Sequence, residues 1–167
     1  MTSTTPLNNA HDTAHNNLPD ARNPTRAPQD VLFYVLNSTD TPAREAFLSK
    51  LLKKINREKR LCDVRFDSDD NALRYDLTLW NIEPHSFIAH SVQAQTPAPI
   101  QLYGAHIGQP CKDVLINLHP ELFSAFGVYQ RTIEILDQSD YLIKMGRERY
   151  KAYKQQGLEP TVHKIGF

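Results

Sequence analysis

Glycine is scarce where a nucleotide-binding chain needs it. There are six glycines in 167 residues, neither GxGxxG nor GxxxxGKS/T occurs, and the turn after the first strand-like run, NSTDTP, contains none. A backbone cradle for phosphate is therefore not expected, and no cofactor is expected with it. The two cysteines, Cys62 and Cys111, have no CxxC or Cys/His spacing, which points to buried or half-buried thiols rather than a disulfide or a zinc site. No run approaches the roughly 18 apolar residues of a membrane span, and the N-terminus lacks a cationic start followed by an apolar stretch. The cytoplasm is the expected compartment. Charge of one sign is missing too: 19 Lys and Arg balance 19 Asp and Glu, so the chain as a whole is not drawn to nucleic acid, and only local patches can attract a partner. Catalytic spacing is also absent. His85, His90, His106 and His119 are scattered, with no GxSxG, no HExxH and no recognisable pair of acids, so no catalytic residue is named.

What is there reads as one domain preceded by a tail. Residues 1–29 are rich in Thr, Ser, Asn, Pro and His, with too few apolar side chains to offset the entropy of ordering, and are expected to be disordered; His11 and His15 are expected to be solvated. Residues 30–167 carry the folding signals. DVLFYVL, from Asp30 to Leu36, is a continuous apolar and β-branched run of the kind buried on both faces of an α/β sheet. Pro42 opens a helix that sets Phe47, Leu48, Leu51, Leu52 and Ile55 on one face. Lys59 to Asp67 alternates as a second strand. Ser68 caps a helix reaching Trp80, with Ala72, Leu73, Leu77 and Trp80 at helical spacing. Pro84 breaks it, leaving Phe87 in a short extended or loop segment. Strands follow at Ile100 to Ala105, Asp113 to Leu118 and Thr132 to Leu136, and HPELFSAFG, from His119 to Gly127, reads as a short helix. Five strands interspersed with helices predict a three-layer α/β sandwich with a mostly parallel sheet.

The strongest functional signal is SDYLIKMGRERYKAYKQQG, from Ser139 to Gly157. Ser139 is a candidate cap, Asp140 suits the positive end of the dipole, and Gly157 is the expected stop; this helix is expected to close the domain. At about 100° per residue, Leu142, Met145, Ala152 and Tyr153 share one side, while Arg147, Tyr150, Lys151 and Lys154 share the other with Ile143 beside them. Neither Asp140 nor Glu148 projects onto that stripe, which leaves its positive field uncancelled in the sequence reading. Cations around a tyrosine and an isoleucine suit an acidic, aromatic-ended peptide better than bare phosphate. Arg149 projects to the packed side and calls for a buried carboxylate or carbonyl partner.

GRERYKAYKQQG closely resembles the RERYKAY signature of the chi subunit of bacterial DNA polymerase III holoenzyme. FYVL in the first strand, Leu79 and Trp80, EPHSFIAH around Phe87, and DVLINL are also similar to chi in order and spacing. The resemblance covers about Asp30 to Leu158. It implies a Rossmann-like fold without a nucleotide-binding motif and without intrinsic activity, in a clamp-loader-associated subunit that joins the psi subunit to the single-stranded-DNA-binding protein during DNA replication, touching DNA only indirectly. Carried over, Arg147 would pair with the terminal carboxylate or nearby aspartates of that protein's acidic tail, which ends in a Pro-Phe carboxylate. Tyr150 and Leu136 would line the phenylalanine pocket, with Lys151 and Lys154 adding charge. Trp80 and Phe87 match positions on a different surface, used for psi and for a competing repair helicase. Two other classes compete: a nucleotide-dependent enzyme on the same fold, and direct single-stranded-DNA binding through the basic helix.

Overall fold

The run Asp30–Leu36 forms the first strand, β1, and the other strands assemble beside it in parallel. A computed structural model describes residues 29–82 and 87–167. The expected tail lies outside the described residues except for Gln29, whose side-chain amide donates to the carbonyls of Gly127 and Tyr129. After β1 come α1 (Thr41–Arg57), β2 (Cys62–Arg65), α2 (Asp69–Asn81), β3 (His90–Val92), β4 (Ile100–Tyr103), β5 (Val114–Asn117), β6 (Arg131–Leu136), α3 (Asp140–Gln155) and β7 (Thr161–Ile165). The seven strands lie in the order β3-β4-β2-β5-β6-β1-β7, and every described pairing is parallel.

Helix starts follow local chemistry. The Asp40 side chain accepts from the Ala43 N–H at 2.8 Å to cap α1, with Pro42 in the first turn, and Ser68 accepts from Asn71 N–H at 3.2 Å to cap α2. Leu48, Leu52 and Ile55 of α1 and Ala72, Tyr75 and Leu79 of α2 are buried against Cys62, Val64, Ile100, Leu102, Ile116, Ile133 and Ile135 of the sheet. Each fully buried Leu, Ile or Val side chain among these stabilises the fold by about 1.5–3 kcal/mol. On α2 the expected helix forms, but Leu73, Leu77 and Trp80 face outward while Tyr75 and Leu79 take the core.

The opposite face of the sheet is covered by α3 and the segment before β6, which makes the third layer. That face is partly polar: Asp63 and Arg65 of β2, Asn117 of β5 and Glu134 of β6 are all buried. Their hydrogen bonds explain why HPELFSAFG is not the expected helix. Asn117 Nδ2 donates to the carbonyls of His119 and Glu121, both at 3.2 Å, Arg65 donates to Glu121 O at 2.8 Å, and Arg149 donates to Pro120 O. Carbonyls that an α-helix would use internally are taken by the sheet, and only a 3-10 turn, Phe126–Val128, forms.

Two strands exceed the expected five. β3 is three residues long, and β7 follows the basic helix, which therefore does not close the domain. β7 also explains β1: Leu32, Tyr34 and Val35 are only half-buried, because the strand beyond them is a thin, wholly exposed edge.

Candidate functional site

Buried charge fixes α3 in place. Glu134 is fully buried; its Oε2 accepts from Arg149 Nε at 3.0 Å, its Oε1 from the Tyr153 hydroxyl at 2.7 Å, and both oxygens from Asn117 Nδ2 at 3.2 Å. Burial pushes the Glu134 carboxyl above its ordinary range, opposed by Arg149 and the two hydrogen-bond donors. Arg149 is thus the structural arginine its position implied. At the start of α3, Ser139 occupies the cap position, but its hydroxyl donates to Asp137 Oδ1 at 2.5 Å instead of accepting from the helix. Gln138 ties this corner to β1, its N–H donating to Ser38 O at 2.6 Å and its side chain to Leu36 O at 3.2 Å. Gly157, at φ +80°, ends the helix in the left-handed conformation its residue type permits.

Held this way, α3 and the edge of the sheet enclose an open cavity of about 330 Å³. Phe33 and Val35 of β1, Leu136 of β6 and Val162 of β7 are on the sheet side; Ile143, Gly146, Arg147 and Tyr150 are on the helix side. Tyr150 meets Phe33 edge to face, with ring centroids 5.7 Å apart, so the aromatic wall is braced. Arg147 is exposed and makes no ion pair among the described residues. A guanidinium beside an apolar cavity can grip a carboxylate while the adjoining apolar group is buried.

Of the expected site residues, Arg147, Tyr150 and Leu136 share this cavity; Lys151 and Lys154 do not line it. Nor is the stripe's charge wholly uncancelled: Arg147 has no ion pair among the described residues, but both lysines have a carboxylate nearby. Lys154 Nζ lies 3.2 Å from Glu159, beyond the helix, and Lys151 Nζ lies 3.9 Å from Glu148 one turn away. Long side chains bend towards carboxylates that an axial projection places off the stripe. The sequence reading missed Val162, Lys164 and Phe167, which β7 and the residues after it bring to the same cavity.

Trp80 and Phe87 lie elsewhere. They are 51% and 71% exposed, with ring centroids 5.8 Å apart, and Trp80 also rests on His90 of β3 at 4.4 Å. Leu77, 65% exposed, extends the patch along α2. The neighbouring Pro84 and His85 lie outside the described residues, as do His11 and His15. β3 and β7 are opposite edges of the sheet, about 30 Å apart at the usual strand spacing, so the patch and the cavity are distinct surfaces.

The carboxyl edge of the sheet, where open α/β folds hold nucleotides, has a different lining. A cavity of about 290 Å³ there is bounded by Thr41, Arg44, Glu45, Asp67, Asn71 and Arg74, two cations against two acids, and Arg74 is ion-paired with Glu45. Among the described residues, no group of three or more His, Cys, Asp or Glu could hold a metal. Cys62 is buried and Cys111 half-buried. No described helix is long and apolar enough to cross a membrane.

The family profile of the DNA polymerase III chi subunit, HolC, matches residues 29–161, a span that includes β1, β6, α3 and the Trp80 patch and stops at the first residue of β7. The chain belongs to the chi family. Among curated proteins, this chi-family chain is 28% identical over 140 residues to the DNA polymerase III subunit chi of Haemophilus influenzae, an alignment covering 80% of this chain and 96% of the relative. It is 24% identical over 137 residues to the DNA polymerase III subunit chi of Escherichia coli K12, covering 77% and 93%. Membership makes the chain a replication protein of the DNA polymerase III assembly.

Proposed function

We propose that this chi-family chain is a non-catalytic, clamp-loader-associated subunit that bridges two partners at the cytoplasmic replisome. The cavity between α3 and β7 takes the acidic C-terminal tail of the single-stranded-DNA-binding protein, and the Trp80 and Phe87 patch takes the psi subunit or a repair helicase that competes with it. What carries the reading is Arg147, exposed and without an ion pair among the described residues, beside an apolar cavity that includes Tyr150 and Leu136. A terminal carboxylate meets the guanidinium fork while the phenylalanine side chain enters the cavity. The two surfaces sit on opposite sheet edges, so both partners can be held together. Single tails bind weakly, and a multimeric protein coating DNA presents many of them at high local concentration.

The test is fluorescence anisotropy of a labelled C-terminal peptide of the same organism's single-stranded-DNA-binding protein, titrated with wild type and with Arg147→Ala. A loss of about tenfold or more, ~1.4 kcal/mol, is expected. Absence of binding by folded wild type would overturn the reading. Single-stranded DNA alone is the control, since direct DNA binding predicts an affinity falling steeply with salt.

A further inference from the structure

Strand β7 brings a cation to the cavity that the helix alone does not provide. The parallel register pairs Val162 with Phe33 and Lys164 with Val35, and residues so paired point to the same face of a sheet, here the one covered by α3. His163, on the other face, stacks against Tyr34 at 5.3 Å, as that alternation requires. Lys164 lines the cavity from the strand side and Arg147 from the helix side. The Lys164 ammonium lies 5.6 Å from the centre of the Phe167 ring, an aromatic contact that orients it, and it makes no ion pair among the described residues. Lys151 and Lys154, by contrast, are each beside a glutamate and off the cavity lining.

We propose that Lys164 is the second cation of the peptide site, binding an acidic side chain of the peptide while Arg147 holds its terminal carboxylate. This rests on the peptide-binding reading above and assigns a specificity-determining residue within it. The division of labour follows from the two cations. A planar guanidinium fork matches a carboxylate held in fixed orientation, whereas an ammonium on a flexible stem is a point charge able to follow a mobile aspartate or glutamate. With one cation on each wall, the site selects a chain that carries negative charge at its aromatic end and again upstream. An apolar peptide with the same last residue satisfies only Arg147.

The experiment uses the full chain and two peptides ending in Pro-Phe carboxylate, one acidic and one with its acidic side chains replaced by amides. Lys164→Gln is expected to weaken the acidic peptide by about threefold or more and to leave the amide peptide unchanged, while Arg147→Ala weakens both. Lys164→Arg, which keeps the charge, should retain most of the affinity. Equal weakening of both peptides by Lys164→Gln would overturn the assignment, because it would make Lys164 a packing residue against Phe167. No change with either peptide would overturn it as well, with the Arg147→Ala loss still supporting the site. A wild-type protein that binds neither peptide would overturn the site and the assignment together. Melting curves of the variants confirm that each is folded.

Discussion

Gly146 of α3 lies so close to Leu136 of β6 that a Cβ added to the glycine would stand 2.4 Å from Leu136 Cδ1. Both residues line the cavity, so the contact sets its size as well as the seating of the helix. Gly146→Ala gains about 0.8–1.0 kcal/mol in intrinsic helix propensity, but Leu136 must turn its methyl groups away to make room. The expected outcome is a melting temperature close to wild type with peptide affinity lowered about fivefold, an effect of ~1 kcal/mol. A variant that melts normally and binds normally would show that Leu136 has another rotamer outside the cavity.

Replacing Arg149 should be far more costly than replacing Arg147. Arg149→Met leaves Glu134 fully buried without its countercharge, and breaking a buried pair from one side costs about 3–5 kcal/mol. Arg149→Lys should recover only part, because one ammonium reproduces poorly the fork that bonds both Glu134 and Pro120 O. Urea denaturation measures both. A loss below about 1 kcal/mol for Arg149→Met would mean that Tyr153 and Asn117 alone hold Glu134.

Those two arginines also show what was legible in the sequence. Helical periodicity separated Arg147 from Arg149, and the structure puts one beside a cavity and the other in the core. Buried-strand runs such as DVLFYVL and DVLIN were legible because apolar content reports burial directly. β7 was not: TVHKI is wholly exposed, so its composition carries no burial signal, and only pairing with β1 makes it a strand. Lys164 went unseen with it. The segment after His119 failed in the other direction, since proline at its entry and glycine at its exit marked a helix but its carbonyls were claimed by Arg65, Asn117 and Arg149 from distant parts of the chain. For Lys151 and Lys154, position on the helix was readable and the reach of the side chains towards Glu148 and Glu159 was not.

Trp80→Ala and Phe87→Ala should leave stability within about 1 kcal/mol of wild type, because both side chains are more than half exposed. Binding of the psi subunit, measured by calorimetry, should fall by tenfold or more, about 1.4 kcal/mol, with affinity for the acidic peptide unchanged. Loss of both activities with an unchanged melting curve would show that the two sheet edges are coupled.

His119 makes stability depend on pH in a stated direction. Its Nδ1 accepts the Glu121 N–H at 2.9 Å, which requires an unprotonated nitrogen, and burial followed by the nearby Arg65 charge lowers its pKa below the ordinary 6.5. As pH falls, the unfolded chain takes up this proton before the folded one does. The stabilisation is therefore present above about pH 6.5 and is lost as pH falls through that value towards the lower folded pKa. His119→Asn keeps an acceptor for the same N–H and does not titrate, so its urea midpoint should change less than that of wild type between pH 7 and pH 5. Equal changes would remove His119 from the acid sensitivity of the fold.

The two walls of the cavity differ in how they bear a load. Among the described strands β7 pairs with β1 alone, along one edge, so a force peeling it away is met by one hydrogen bond after another, as in opening a zip. α3 cannot yield in that stepwise way, because moving it strains the Arg149 and Tyr153 contacts to Glu134 together. If the proposed peptide binds there, one drawn taut between the walls would be anchored by the helix and let go by the strand.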